Sequence, residues 1–233
     1  MSVRLERGAR GARLIEKDCV LSEILSHPGP TNCLFDVLAL CVATLAPGPR
    51  VLVLGFAGGG IVAPLRAAGW EEPLIGVDRE LSGLRIFREL CGSWAGDVHV
   101  ERADAADYLR GQSERSYDLI FEDLSVARGE EISKPALSLE LLPRLIRSRL
   151  KPGGVALTNV LPVPGWRFSQ LFTVLAQPYP RAVIVRFDEW ENRLLMAGRR
   201  LASAAEISRR LKAGLRQLGS NQGARLRLRT FRG

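Results

Sequence analysis

The middle of the chain alternates short apolar segments with segments of helical length, and this alternation restricts the fold more than any other feature. Five short segments that suit parallel strands are residues 51–54, 73–77, 98–101, 117–121 and 155–160. The first is wholly apolar, which is typical of a central parallel strand covered on both faces. Two further segments, 182–187 and 192–198, are separated by only a short turn and suit an antiparallel hairpin. We therefore predict an α/β fold, a doubly wound seven-stranded and mostly parallel sheet that ends in this antiparallel hairpin.

The segments on either side of this alternation divide the chain into three parts. Residues 1–30 suit an N-terminal arm or small hairpin, residues 31–201 contain the sheet, and residues 202–233 form a basic C-terminal helix and tail. Four apolar residues at helical spacing, Ile207, Leu211, Leu215 and Leu218, predict an amphipathic helix over residues 202–218. Residues 219–233 are predicted to be loose.

The positive charge of the protein belongs to this last part. The formal net charge is +8, and residues 199–233 hold ten Lys or Arg against the single acid Glu206, so residues 1–198 sum to −1. Arginine clusters attract phosphates, so a weak nucleic-acid contact through the basic tail is one expectation. A solubility role is the alternative, because no aromatic interleaving supports base stacking.

The composition argues against several classes of protein. A chain of 233 residues with 46% hydrophobic content suits one globular domain. No apolar run approaches the roughly 20 residues that cross a bilayer, and the arginine-rich N-terminus has no apolar signal core, so we expect a cytoplasmic protein without membrane contact. The four cysteines show no C-x-x-C spacing and only two histidines are present, so neither a metal site nor a histidine-dependent hydrolase is expected.

A glycine-rich loop follows the first strand of the alternation. Its sequence is Gly55-Phe56-Ala57-Gly58-Gly59-Gly60, and it leads into a helix. Such a loop brings bare backbone and a helix N-terminus against a ligand. Asp78 follows the second strand, 23 residues after Gly55, where a carboxylate can accept both hydroxyls of a ribose. These two features alone suit a nicotinamide dehydrogenase as well as other nucleotide-binding proteins.

Further motifs follow the later strands, and their order resembles that of one superfamily. After the glycine loop and Asp78 come Ala103-Asp104-Ala105, Glu122-Asp123 and Leu150-Lys151-Pro152-Gly153-Gly154. Over residues 50–198 the chain resembles the S-adenosylmethionine-dependent methyltransferase superfamily, and within it spermidine synthases and their methyltransferase-like relatives most closely. The resemblance implies a Rossmann-like methyltransferase fold, a homodimer, and S-adenosylmethionine or decarboxylated S-adenosylmethionine as the cofactor.

The resemblance also implies which residues bind this cofactor. In the family, the glycine loop packs against the methionine part and ribose, the acid after the second strand holds the ribose hydroxyls, and the aspartate after the third strand bonds the adenine amino group. Carried over, the expected cofactor contacts are Gly55, Phe56, Ala57, Gly58, Gly59, Asp78, Arg79, Asp104 and Ala105. Asp104 also suits the N-cap of a helix that starts at Ala105, and the sequence does not separate the two roles.

The candidate catalytic group is the acid after the fourth strand. Spermidine synthases carry two aspartates three residues apart there; Asp123 matches the first, but Val126 stands at the second position. We expect Asp123 to act as the base, with its neighbour Glu122 in reserve, and because side chains alternate along a strand only one of them should face the site. Glu130 and Glu131 in the following loop are candidates for a lid over a cationic substrate.

The reaction expected from the resemblance is therefore transfer of a methyl group to a small acceptor, for which an amine is one candidate. Methyl transfer is favoured because the positions that hold a polyamine in the family are degraded here. One alternative is aminopropyl transfer to a polyamine from the decarboxylated cofactor. Another is a catalytically inactive module that keeps the fold and the cofactor.

Overall fold

The computed structural model describes residues 3–128 and 131–231 of the chain. It begins with three antiparallel strands, β1 (Arg4–Gly8), β2 (Gly11–Glu16) and β3 (Cys19–Leu25), which form a separate three-stranded sheet. Leu14 and Ile24 of this N-terminal sheet are buried in the same core as the helices that follow. Residues 1–30 therefore contribute a packed sheet, which is more structure than the predicted arm or hairpin.

The remaining strands and helices follow the predicted alternation. The strands are β4 (Val51–Leu54), β5 (Leu74–Asp78), β6 (Val98–Arg102), β7 (Tyr117–Glu122), the short β8 (Val126–Arg128) and β9 (Glu131–Ser133), then β10 (Leu150–Val160), β11 (Arg181–Phe187), β12 (Arg193–Gly198) and β13 (Leu226–Phe231). The helices are α1 (Leu34–Leu45), α2 (Val62–Ala67), α3 (Ser82–Cys91), α4 (Ala105–Gly111), α5 (Ala136–Glu140), α6 (Leu142–Arg149), α7 (Phe168–Ala176) and α8 (Ala204–Leu218).

The central sheet has the strand order β13-β11-β12-β10-β7-β4-β5-β6. The five strands from β10 to β6 are parallel, and β12, β11 and β13 join them by antiparallel pairing. The predicted α/β fold with an antiparallel last hairpin is confirmed, but the predicted count of seven is wrong because the sheet has eight strands. The additional strand is β13, in which Leu226 is buried and alternates with exposed arginines.

Two helical layers cover the faces of this sheet. One face packs against α1, α2, α3, α8 and the N-terminal sheet, and the other packs against α4, α5, α6 and α7. The parallel strands β4 and β7 lie in the middle and are buried along their whole length. This burial on both faces is the physical reason that their sequences are almost continuously apolar.

The basic C-terminal part of the chain is ordered and belongs to the body of the protein. The predicted amphipathic helix is confirmed as α8, which begins after the Ser203 cap and ends at Gly219 in the left-handed conformation, with φ +76°. A 3₁₀ turn, Asn221–Arg225, then leads into β13, and the Gln222 side-chain amide donates to the Asn32 carbonyl at 2.9 Å. The prediction that residues 219–233 are loose is therefore wrong up to Phe231, and Arg232 and Gly233 lie outside the described residues.

Within the described ranges, every helix is too short or too polar to cross a lipid bilayer.

Candidate functional site

The carboxyl ends of the parallel strands bring the predicted site residues to one edge of the sheet. β4, β5, β6 and β7 all end at this edge, and each is followed by one of the residues singled out in the sequence. Backbone hydrogen bonds hold the strand ends together: the Gly55 N–H donates to the Val77 carbonyl at 2.9 Å, and the Asp123 N–H donates to the Leu54 carbonyl at 2.8 Å. The edge is therefore a rigid platform, as expected for ligand sites in open α/β sheets.

Gly55 is where the glycine loop approaches the candidate catalytic residue most closely. Its φ is +91°, a conformation that favours glycine. A Cβ atom at this position would lie 2.8 Å from the Asp123 carbonyl oxygen, which is too close for any side chain. Gly55 is half-buried and has no side chain, so its backbone is accessible to a ligand, whereas the N–H of the half-buried Ala57 donates to Asp78.

The rest of the glycine loop is enclosed by the protein itself. The Phe56 ring packs edge-on against Phe87 with centroids 5.3 Å apart, and a Cβ at Gly59 would lie 2.6 Å from the Phe56 ring. A Cβ at Gly58 would lie 2.5 Å from Cδ1 of Ile24 in the N-terminal sheet. These glycines are therefore needed for packing, and the binding role expected of Phe56, Gly58 and Gly59 stays a prediction.

Asp78 at the end of β5 fixes the shape of the loop. Its carboxylate accepts hydrogen bonds from the Ala57 N–H at 2.7 Å and from the Glu80 N–H at 3.0 Å, one on each oxygen. Each carboxylate oxygen can accept a second bond, so the half-buried group keeps capacity for a ribose hydroxyl. The next residue, Arg79, is exposed.

Asp104 is the N-cap of α4. Its Oδ1 accepts from the Ala106 N–H at 2.8 Å and from the Asp107 N–H at 3.4 Å. Within the described residues Oδ2 accepts no hydrogen bond, so the cap role leaves one oxygen available for a ligand. Ala105 beside it is the first residue of α4 and is buried.

Asp123 lies directly after β7 and differs from the other acids in its electrostatic environment. Its Oδ1 accepts a 2.7 Å hydrogen bond from the Asn159 amide at the end of β10. Burial raises the pKa of Asp123 to about 7, while the Asn159 hydrogen bond and the charge of Lys134 oppose the rise and the charges of Glu122 and Asp78 add to it. A carboxyl group with a pKa near 7 exchanges protons readily at neutral pH.

The Glu122 side chain points to the opposite face of the sheet, where it binds other side chains of the protein. Its Oε1 accepts from the Lys134 ammonium at 2.7 Å, and both side chains are at most 1% exposed. The same oxygen also accepts from the Ser138 hydroxyl at 3.0 Å and from the Leu124 N–H at 3.0 Å. The pair is satisfied and closed to solvent, so Glu122 is not available as the reserve base.

Asn159 and Asn192 complete the site, and sequence reasoning assigned neither of them a role. Asn192 lies in the turn between β11 and β12, and its side-chain amide N–H donates to Oδ1 of the Asn159 side chain at 3.1 Å. This bond fixes the Asn159 amide so that its NH₂ group points at Asp123. In the sequence, Asn159 is recognisable as a polar residue near the carboxyl end of an apolar strand, where ligand sites occur. Asn192 becomes recognisable as a site residue only once β10 is known to pair with β12.

The structure describes one of the two predicted lid residues and the position of the second acid. Glu131 is exposed in β9, and Glu130 lies outside the described residues. Val126 starts β8, so the position that carries the second aspartate in the resembled family is apolar and half-buried. One titratable carboxylate, Asp123, therefore remains for proton transfer at the end of β7.

A cavity of about 640 Å³ lies elsewhere on the molecule, at the amino end of β11. It is lined by residues from the end of α7, the start of β11 and the end of β13. No residue with a predicted role lines it, so the carboxyl edge around Asp123 remains the candidate site.

Comparison with known proteins supports the fold. No protein-family model and no curated protein sequence matches the chain. A probable spermidine synthase from Corynebacterium glutamicum ATCC 13032 superposes with a TM-score of 0.73 at 15% identity, over 97% of this chain and 86% of its own. Human methyltransferase-like protein 13, solved in complex with SAH, gives a TM-score of 0.61 at 21% identity, over 80% and 90% of the two chains. A spermidine synthase in complex with the transition state analogue AdoDATO gives 0.61 at 16% identity, over 83% and 72%.

Identities at this level show the fold alone. The predicted Rossmann-like methyltransferase fold is thereby confirmed. The solved structures that resemble the chain include both spermidine synthases and a methyltransferase-like protein. The chain therefore has a Rossmann-like methyltransferase fold of the spermidine synthase-like type.

Proposed function

We propose that the protein binds S-adenosylmethionine at the carboxyl ends of β4, β5 and β6 and transfers its methyl group to an acceptor whose nucleophile gives its proton to Asp123. The observation that carries this proposal is the position of Asp123, whose backbone adjoins Gly55 and whose carboxyl pKa is raised to about 7. A base with this pKa is well matched to an amine or hydroxyl acceptor at neutral pH.

The residues present fit such a cofactor. Gly55 offers accessible backbone beside the half-buried Ala57, Asp78 keeps lone pairs for ribose hydroxyls, and Oδ2 of Asp104 is open for an adenine amino group. Arg79 and Ala105 flank the two acids, and Phe56, Gly58 and Gly59 shape the loop from beneath. Solved neighbours of the same fold were determined in complex with SAH and with the transition state analogue AdoDATO, which supports S-adenosylmethionine or its decarboxylated form as the ligand.

The chain's own residues contribute alignment and proton transfer. When bound, the cofactor supplies a carbon attached to a sulfonium sulfur, which is open to in-line displacement. Asn159 donates to Oδ1 of Asp123 and Oδ2 has no donor among the described residues, so we assign proton uptake to Oδ2. With the cofactor bound, Asp123 would take up the proton that the acceptor loses on methylation and release it to solvent, while Asn159 would hold the carboxylate in place.

Aminopropyl transfer from decarboxylated S-adenosylmethionine is the second candidate. It is favoured by the similarity to the probable spermidine synthase, which extends over 97% of this chain. The site offers less for a polyamine, because Val126 replaces an acid and Glu122 is paired with Lys134. A cationic acceptor would meet one carboxylate here, and we therefore rank methyl transfer first.

Calorimetry tests the cofactor and separates the two candidates. We expect binding of S-adenosylmethionine and S-adenosylhomocysteine and none of NAD; tight NAD binding would contradict the proposal. If decarboxylated S-adenosylmethionine and 5′-methylthioadenosine bind far more tightly, the aminopropyl reaction is favoured instead. Asp78→Ala should weaken binding, whereas Asp123→Asn should leave it nearly unchanged.

Turnover tests the base. With a panel of small amine and hydroxyl acceptors, Asp123→Asn should abolish the transfer that the native protein catalyses. Cofactor binding without transfer to any acceptor would instead indicate the inactive module. The homodimer and the cytoplasmic location stay predictions, and sedimentation velocity tests the first.

A further inference from the structure

Four arginines form a ladder on one face of the outer strands of the sheet. Arg186 of β11 is paired directly with Arg193 of β12 on one side and with Arg227 of β13 on the other. Arg229 follows two residues along β13, opposite Ile184. Directly paired residues of antiparallel strands lie on the same face, so the four side chains share the α7 face of the sheet. We call them the arginine ladder.

Within the described residues, the repulsion within this ladder is offset only in part, by the charge of Glu191 near Arg193. Arg186, Arg227 and Arg229 are exposed, and within the described residues none of them forms an ion pair or a side-chain hydrogen bond. The pKa of Arg193 is lowered, first by burial and second by the charge of Arg186. Like charges that face each other across strands destabilise a sheet. The ladder therefore costs free energy in the absence of an anion.

Neither the nearby acids nor edge protection accounts for the ladder. In the turn beside it, Glu189 pairs with Arg225, the charge of Glu191 opposes only part of the lowered pKa of Arg193, and Asp188 forms no ion pair among the described residues. Charged residues on an edge strand prevent edge-to-edge aggregation, which would explain Arg227 and Arg229 on β13. It does not explain Arg186, because β11 lies between two partner strands.

Aromatic rings adjoin the ladder. The guanidinium of Arg193 lies over the Phe168 ring, 5.0 Å from its centroid. Trp166, two residues earlier in the loop after β10, is 44% exposed. The other exposed large hydrophobic side chains among the described residues all lie near the N-terminus, at Val3, Leu5 and Val20. The aromatic residues that the basic tail lacks in sequence are thus supplied by another part of the chain.

We propose that the arginine ladder and Trp166 form a binding surface for single-stranded nucleic acid. Guanidinium groups bind phosphate oxygens in a bidentate fashion, and a row of them crossing three strands suits a row of phosphates. Trp166 lies two residues before Phe168, the ring that Arg193 covers, and an exposed tryptophan there is suited to stacking on an unpaired base, which a duplex does not offer. Because a lone tryptophan supplies little apolar area, a membrane surface is not the ligand.

Fluorescence anisotropy of labelled 12-nucleotide oligo(U), oligo(dT) and a duplex of equal length tests this proposal without cofactor or acceptor. We compare the native protein with two triple variants of equal charge loss: Arg186→Gln/Arg227→Gln/Arg229→Gln in the ladder, and Arg199→Gln/Arg209→Gln/Arg216→Gln outside it. At about 0.7 counterions released per contacted single-strand phosphate, the ladder variant should lower the salt slope by about 2. Between 50 and 200 mM salt, the native protein should then lose about 20-fold more affinity than the ladder variant.

The control variant decides whether the ladder or the net charge matters. It should bind almost as the native protein does, and an equal loss in both triple variants would overturn the proposal. So would tighter binding of the duplex than of either single strand. Comparing oligo(U) with oligo(dT) shows whether RNA or DNA is preferred. Weak binding of both at 50 mM salt would also overturn the proposal.

Trp166 provides a second readout. Its emission should be quenched by the single strands, and Trp166→Ala should weaken binding roughly fivefold or more. Unquenched emission together with unchanged affinity of this variant would reject the stacking role. Circular dichroism of every variant checks that it is folded. Calorimetry with S-adenosylmethionine tests cofactor binding separately, so that a loss of nucleic-acid binding is not confused with a failure of the proposed methyl transfer.

Discussion

Replacing Asp123 with asparagine should stabilise the protein, by an amount that grows as the pH rises from 5 to 8. Burial raises the pKa of Asp123 to about 7 in the folded protein, against 3.8 as its ordinary value. Between these two values the folded protein holds a proton that the unfolded chain has released, so rising pH favours unfolding. Above pH 7 both forms are ionised and the penalty is complete. Asparagine has the same shape, stays neutral at every pH, and keeps the oxygen that accepts from Asn159.

The size of the effect follows from the two pKa values. Each unit corresponds to about 1.36 kcal/mol, so the full penalty is roughly 4 kcal/mol. At pH 5 roughly 1.7 kcal/mol of it is already present, so the advantage of the variant should grow by roughly 2 to 3 kcal/mol between pH 5 and pH 8.

Urea unfolding at pH 5, 6, 7 and 8 at constant ionic strength measures this difference. Asp188→Asn is the matched control, because Asp188 is an exposed aspartate without a hydrogen-bond partner among the described residues. A difference between Asp123→Asn and the native protein that stays constant across the pH range, or shrinks, would refute the reasoning. It would show that Asp123 is already ionised in the folded protein at pH 5, and the argument for a base with a pKa near 7 would fail.

Two further predictions concern the packing around the site, and a third concerns the far edge of the sheet. Glu122→Gln should destabilise the protein by roughly 3 to 5 kcal/mol in chemical denaturation, because it leaves the buried Lys134 ammonium unpaired; the Glu122→Gln/Lys134→Met double variant should recover stability, and no recovery would contradict the unpaired charge as the cause. Gly58→Ala should cost roughly 1 to 3 kcal/mol in thermal melts, since its Cβ would lie 2.5 Å from Cδ1 of Ile24. Adding Ile24→Val removes that methyl group and should restore part of the loss; an equally unstable pair would point to another clash. Deleting residues 226–233 should promote aggregation in light scattering because β11 becomes an edge strand, and unchanged scattering would count against a stabilising role for β13.

Much of the fold was predictable because its signals are local. The apolar strands and the amphipathic spacing of α8 are visible in short windows of sequence. Strand β13 could not be predicted from its sequence, LRLRTF. Its arginines suggest a solvated tail, and it contains only two leucines. It forms a strand because β11 presents an unpaired edge, which is a tertiary condition. Sequence windows do not contain such conditions.

The candidate site divides in the same way. Strand alternation predicted that Glu122 and Asp123 face opposite ways, and the amide at the end of β10 marks Asn159 as a polar residue in an apolar strand. The partners that decide their chemistry were not predictable. Lys134 reaches Glu122 across 12 residues, and Asn192 reaches Asn159 across 33. These contacts depend on how the chain returns to the same edge of the sheet.

The contact between the N-terminal sheet and the glycine loop has a consequence for the order in which the protein assembles. Leu14 and Ile24 fill the space beside Gly58, although they lie more than 30 residues earlier in the chain. Such non-local contacts form late in folding, because the intervening chain must first be ordered. The loop should therefore reach its final shape only when the N-terminal sheet docks, and it should be the first part of the site to open when that sheet detaches. The affinity for a ligand would then depend on whether the N-terminal sheet is docked, although no residue of that sheet is predicted to contact the ligand.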